Sequence, residues 1–119
     1  HLVSFVPRGG CEVFFVSGRA VRAEGAAIRG GVPVIFPQFA GRGPLPKHGF
    51  ARTARWTLEA TGLTNDGAAF ARLSLTDDAA SRALWPASFR LTTEIRAKDQ
   101  VLEQSLSVTN AGTTESACG

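Results

Sequence analysis

An all-β fold of the sandwich type is what this sequence predicts, and three observations carry the prediction. At least six short runs have strand composition or alternation, a single stretch of roughly two turns has the composition of a helix, and nowhere do strands and helices alternate as they must in a parallel α/β sheet. No internal repeat or low-complexity tract interrupts the pattern. At 119 residues the chain is one domain by length, residues 1–119, and 44% hydrophobic against 19% charged residues lets it bury a core.

Residues 2–6 and 11–16 are rich in Val and Phe and flank Pro7-Arg8-Gly9-Gly10, a turn composition, so together they predict a β-hairpin. Residues 17–27 are small and polar, a connection with room for one short edge strand. Residues 27–56 follow, holding four of the six prolines, the basic residues Arg29, Arg42, Lys47, His48, Arg52 and Arg55, and no acid. Glycine and proline at that density forbid long regular structure, so irregular backbone pinned by the apolar run 32–36 is expected there. A rigid basic loop on a β scaffold is where a site would be built.

Residues 55–61 and 68–76 flank Asn65-Asp66-Gly67, in which Asp-Gly supplies the positive φ of a hairpin turn. In the second run Ala71, Leu73 and Leu75 share one face, and Phe70, Arg72, Ser74 and Thr76 share the other. Residues 76–86 predict the helix, with Thr76 or Asp77 as N-cap and Pro86 as the stop. Residues 88–97 alternate, Phe89, Leu91, Thr93, Ile95 and Ala97 on one face; Lys98-Asp99-Gln100 turns the chain, and 101–108 returns as a strand with Leu102, Leu106 and Val108 together. This is half-buried antiparallel sheet.

Charge is unevenly placed. Residues 1–58 carry eight Lys or Arg against two acids, and residues 59–119 carry five against eight, so a net +3 conceals a positive first half whose partner should be an anion. Gly41-Arg42-Gly43 lacks the third glycine and the helix of a dinucleotide fingerprint, and Lys47 has neither the glycine nor the hydroxyl neighbour of a P-loop. Two Arg-Gly-Gly triplets, each beside an apolar run and without aromatic platforms, do not make a nucleic-acid-binding tract. No run is long and apolar enough for a membrane span. Cys11 and Cys118 have no metal-ligand spacing and read as two buried or incidental thiols of a reducing, cytoplasmic compartment, with a disulfide the alternative; Trp56 and Trp85, among apolar neighbours, read as core.

His48 is the candidate of chemical interest. Arg29 upstream and Arg52 four residues on can bind carboxylate or phosphate bidentately, and cationic neighbours disfavour the imidazolium, leaving a neutral ring with one N–H to donate.

The residues then resemble a known family. Ile28-Arg29-Gly30-Gly31-Val32-Pro33, Phe36-Pro37-Gln38-Phe39 and His48-Gly49-Phe50-Ala51-Arg52 up to Trp56 are similar to the aldose-1-epimerase-like hexose-6-phosphate mutarotases, or glucose-6-phosphate 1-epimerases. Phe15-Val16-Ser17, Leu84-Trp85-Pro86 with Phe89, and Val108-Thr109-Asn110 extend the likeness over nearly the whole chain. The resemblance implies a galactose-mutarotase-like β-supersandwich, an isomerase interconverting the α and β anomers of a phosphorylated hexose, and no metal or organic cofactor. In such chemistry a base takes the anomeric hydroxyl proton while an acid protonates the ring oxygen; the ring opens, rotates about C1–C2 and recloses.

Carried over by position, Arg29 and Arg52 match substrate-binding arginines, Lys47 falls where a glutamine is usual, and His48 matches the histidine that orients and polarises the sugar. The family's general-acid histidine and base glutamate have no match here, since His1 is the only other histidine and Glu94, Glu103 and Glu115 do not fall at the position of the base. The expectation is therefore the N-terminal part of a mutarotase, carrying half of a phosphosugar site, inactive alone, and prone to self-association through uncovered sheet surface. A non-catalytic sugar-phosphate-binding or regulatory module on the same scaffold and a basic nucleic-acid-binding β-domain are the rival readings.

Overall fold

The structure is a computed structural model that describes residues 1–118. They form two compact units, residues 1–55 with Cys118, and residues 56–117, each described by itself.

The second unit is a four-stranded antiparallel meander. Strands β1 (Thr57–Leu63), β2 (Ala69–Thr76), β3 (Phe89–Lys98) and β4 (Val101–Asn110) lie in the order β1-β2-β3-β4, with helix α1 (Ala79–Leu84) in the β2–β3 connection. The Asp66-Gly67 turn closes β1 on β2 as expected: Gly67 takes φ +83°, and the Thr64 hydroxyl accepts from the Ala68 amide at 2.9 Å. Register pairs Leu75 with Leu91, Leu73 with Thr93 and Ala71 with Ile95, so the predicted faces of β2 and β3 coincide. Phe89 and Leu91 are the largest side chains removed from water. On that face the outer strands remain open, with Leu58, Leu63, Leu106 and Val108 exposed.

The opposite face carries ion pairs from Arg72 to Glu94 at 2.7 Å and from Arg90 to Glu59. Ser74 is buried on this mixed face, flanked by these long charged arms. Glu59 sits at a bulge between Leu58 and Ala60, where β1 slips against β2.

Two expectations are corrected in this unit. The helix N-cap is Asp78, not Thr76 or Asp77: its carboxylate accepts from the Ser81 amide at 2.7 Å while its own amide donates to the Ser81 hydroxyl at 2.9 Å. Asp77 is held elsewhere, accepting from the Phe89 amide at 3.0 Å and pairing with Arg82 at 2.7 Å, which ties the helix entry to the start of β3. Trp85 is half-buried, its ring centroid 6.0 Å from that of Phe89, and Trp56 is half-buried too, so neither belongs to the fully enclosed core.

The first unit has no regular strand among its described residues. The hairpin expected from residues 2–6 and 11–16 survives as one backbone bond, Val13 N–H to the Phe5 carbonyl at 3.0 Å, and beyond it the arms spread. A third segment fills the gap. Leu2 and Val32 exchange both backbone bonds at 3.1 and 2.8 Å, while Gly31 donates to the Phe15 carbonyl and Ser17 to the Arg29 carbonyl, each at 2.9 Å. Gly30 and Gly31 permit this threading, because a Cβ on Gly30 would land on the Phe15 carbonyl and one on Gly31 on the Leu2 carbonyl. The Glu12 carboxylate reinforces the spread arms, accepting from the amides of Phe5 and Phe14 at 2.9 Å and from the Ser4 hydroxyl at 2.6 Å. Cys11 and Cys118 are free, exposed thiols.

Candidate functional site

The segment from Val32 onward enters the first unit as alternating apolar backbone, with Val34 and Phe36 buried. At Phe36 it meets the returning chain. The Phe36 carbonyl accepts from the amides of Phe50 and Ala51 at 3.1 and 3.3 Å, Phe36 and Gly49 form a parallel bridge, and the two phenyl rings meet edge-on at 6.2 Å. Gly49 takes φ +65°, and a Cβ there would strike the Phe36 carbonyl. The Phe36-Pro37 peptide is cis. Between these anchors runs the proline- and glycine-rich loop 38–48.

His48 closes that loop. Its backbone N–H donates to the Ala40 carbonyl at 2.9 Å, and the Ala40 N–H donates to His48 Nδ1 at 3.1 Å. A backbone amide can only donate, so Nδ1 must be the unprotonated nitrogen and the neutral ring carries its proton on Nε2. Partial burial and the charges of Arg52 and Lys47 hold the imidazole below its usual range. Both Ala40 (φ 51°) and His48 (φ 70°) adopt the left-handed region, uncommon for residues with a side chain. The Phe39 ring stands edge-on to the imidazole at 5.5 Å between centroids, and the Arg42 guanidinium lies 5.6 Å from the centre of Phe39.

Of the four residues singled out in the sequence, the structure joins three. Arg52 Nη2 donates to the Lys47 carbonyl at 2.9 Å, setting its guanidinium beside the residue that precedes His48. Arg52 Nε is buried without a hydrogen-bond partner among the described residues, and Lys47 is exposed. Arg29 is also exposed and forms no hydrogen bond or ion pair with this group; it sits on the threading segment, its carbonyl taken by Ser17.

The sequence reading passed over Gln38 as a site residue. Its side chain is buried and makes three hydrogen bonds into the loop, from Nε2 to the carbonyls of Ala40 and Leu45, both at 3.1 Å, and to Oε1 from the Leu45 amide at 3.0 Å. The signal available was an amide set between Pro37 and Phe39 in an otherwise apolar run. Among the described residues, no three His, Cys, Asp or Glu side chains group so as to hold a metal ion, and no helix is long and apolar enough to cross a membrane.

Comparison with known proteins decides the ancestry of this arrangement. The profile of the family described as aldose 1-epimerase matches residues 2–118. The chain belongs to the aldose 1-epimerase family. Among aldose 1-epimerase relatives, a protein of Escherichia coli strain K12 provisionally named glucose-6-phosphate 1-epimerase is 41% identical over 98 residues, covering 81% of this chain and 33% of its own length. A protein of the same provisional name from Cenchrus ciliaris is 39% identical over 59 residues, half of this chain and 18% of that one. The crystal structure of a provisionally assigned mutarotase from Salmonella typhimurium superposes with a TM-score of 0.83 at 33% identity, over 92% of this chain and 37% of that one. The four-stranded antiparallel sheet with its single short helix is thus part of a mutarotase fold. The chain spans about a third of the length of the first curated relatives it matches.

Proposed function

We propose that this chain forms the phosphosugar-binding half of a site that interconverts the α and β anomers of a hexose 6-phosphate, with glucose 6-phosphate as the reference substrate. The observation that carries the reading is the state of His48. An imidazole whose Nδ1 is taken by a backbone amide, and whose neighbours are Lys47 and Arg52, has a neutral N–H to offer a sugar oxygen and cationic groups at hand for an anion.

In this reading Arg52 and Lys47, with Arg29, hold phosphate or hydroxyl oxygens. The buried Arg52 Nε, a donor without a partner among the described residues, supports an acceptor arriving from outside. His48 Nε2–H donates to a sugar oxygen and polarises the ring. Mutarotation also needs a base to take the anomeric proton and an acid to protonate the ring oxygen as the C1–O bond breaks. His48 as a neutral donor serves orientation better than protonation, and His1, its Nδ1 3.4 Å from the Gly30 carbonyl, is engaged elsewhere. The chain alone is accordingly read as binding hexose 6-phosphate without accelerating its anomer exchange.

Saturation-transfer NMR of glucose 6-phosphate tests this directly, with the protein, its Arg52→Ala variant and buffer compared. The expected result is ligand-induced shifts around His48 that weaken in the variant, with exchange equal to buffer. Exchange above buffer that vanishes with Arg52 would show that the chain is catalytic by itself, and no shift at all would remove the phosphosugar reading.

A further inference from the structure

The Gln38 side chain spends every hydrogen bond it makes on loop 40–45, and one of its partners, Ala40, is the residue that holds the imidazole of His48. The Ala40 carbonyl receives two donors, Gln38 Nε2 at 3.1 Å and the His48 amide at 2.9 Å, which fixes the plane of the peptide following Ala40. The Ala40 N–H, in the peptide preceding Ala40, donates to the same residue at His48 Nδ1, so both backbone groups of Ala40 are set on His48. Leu45 is gripped at both its amide and its carbonyl by the two ends of the same side-chain amide, so the far arm of the loop is held against the near one. Ala40 stands at φ 51°, a conformation it does not prefer and that needs such external ties.

We infer that Gln38 is a positioning residue for His48: by gripping Ala40 and Leu45 it fixes the orientation and tautomer of the imidazole, so that Nε2–H is presented outward as the ring's remaining donor. The inference rests on the proposed reading of His48 as a donor to the sugar. The amide is suited to the task because it supplies two N–H donors for two carbonyls and an acceptor for one N–H, a combination no carboxylate or ammonium offers. Its burial keeps water from competing for those bonds.

The test uses the two-histidine simplicity of the chain, whose imidazole nitrogens can be followed by nitrogen-15 NMR with and without glucose 6-phosphate. The charged groups around the His48 ring are Lys47 and Arg52, with Arg42 beyond Phe39, and none of them is altered. In the unsubstituted protein Nε2 is expected to be the protonated nitrogen. In Gln38→Ala the two ring nitrogens are expected to shift toward a tautomer mixture, the Ala40 amide signal to move, and affinity for glucose 6-phosphate to fall by about 10- to 100-fold.

Should Gln38→Ala fail to fold, Gly43→Ala takes its place. The three atoms nearest a Cβ there all belong to the Gln38 side chain, Oε1 first at 2.5 Å, so the methyl displaces the amide end and is expected to give the same nitrogen shifts. Gly41→Ala, whose Cβ meets nothing within 4 Å, is the loop control expected to change neither signal. A folded Gln38→Ala or Gly43→Ala protein with His48 nitrogens and Ala40 amide as in the unsubstituted chain overturns the inference. So do altered nitrogens with unaltered affinity in a protein that binds glucose 6-phosphate. If the unsubstituted protein does not bind it, the proposed function falls while the nitrogen shifts still decide the role of Gln38.

Discussion

Ala40 and His48 hold each other through two hydrogen bonds of opposite sense, the His48 amide donating to the Ala40 carbonyl and the Ala40 amide donating to His48 Nδ1. Protonating Nδ1 would set two N–H groups face to face, so the folded loop favours the neutral ring. His48 is predicted to titrate below the usual imidazole value of 6.5, for reasons of partial burial, Arg52 and Lys47 in that order. The linkage has a definite sign: a folded-state value below the unfolded one gives a contribution complete above pH 6.5 and lost as pH falls through the folded value. Proton NMR of the imidazole from about pH 8 to about pH 5 measures it, and a midpoint at or above that of an unfolded histidine contradicts it.

Glu12 supplies a second, lower window. Its carboxyl is held at about 2 by the Ser4 hydroxyl and then by the amides of Phe14 and Phe5. The stabilisation it brings is therefore present above its ordinary 4.5 and disappears as pH falls toward 2. Thermal melts of the protein and of Glu12→Gln between those limits should converge as the acid end is approached, with the variant the flatter of the two. Parallel curves would mean that the carboxylate is not what ties the arms of residues 4–5 and 12–14.

Gly30→Ala should be among the most damaging single methyl additions in the chain. The residue stands at φ +121°, where a side chain is not tolerated, and the added carbon would run into the backbone of Phe15 and Val16 rather than into a side chain that could swing aside. A loss of roughly 2–4 kcal/mol is expected in urea melts. Gly25→Ala, also at positive φ but with open space around its Cβ, should cost only the backbone term, about 1–2 kcal/mol.

Asp78→Ala removes the acceptor for the Ser81 amide and half of the reciprocal cap. About 1 kcal/mol of stability should be lost. Asp77→Ala should differ in kind, because it frees the Phe89 amide at the head of β3 as well as Arg82. Amide exchange separates them: the first variant should speed exchange within α1, and the second at Phe89.

The second unit was the more legible from sequence, and the reason lies in how each residue is partnered. Phe89, Leu91 and Thr93 alternate with Arg90, Thr92 and Glu94, and a strand buried on one face writes that alternation directly into the chain. The choice among Thr76, Asp77 and Asp78 as N-cap was not written locally. It is decided by the amide of Phe89, twelve residues from Asp77, which claims that carboxylate first. The hairpin of residues 2–16 failed on the same ground, since nothing in its composition shows that Gly30 and Gly31 will enter between its arms. At the site, basic residues in a proline-rich loop marked His48, Lys47 and Arg52, whose charges are visible in the letters. Gln38 was passed over because its partners are backbone atoms of Ala40 and Leu45, and the sequence does not record which carbonyl a loop leaves in want of a donor.

The bracing of loop 38–48 has a consequence for how such a site can diversify. The side-chain bonds of Gln38 and His48 fall on Ala40 and Leu45, while the tip at Gly41 and Arg42 is joined to the frame among the described residues by one backbone bond, Arg42 N–H to the Phe39 carbonyl at 3.2 Å, and by the Arg42 guanidinium over the Phe39 ring. The side chain at position 42 can change while the bonds from Gln38 and Ala40 that orient the imidazole stay in place. The orientation of the imidazole and the charge carried by Arg42 near it are thereby set by different residues, and a change in the one need not alter the other.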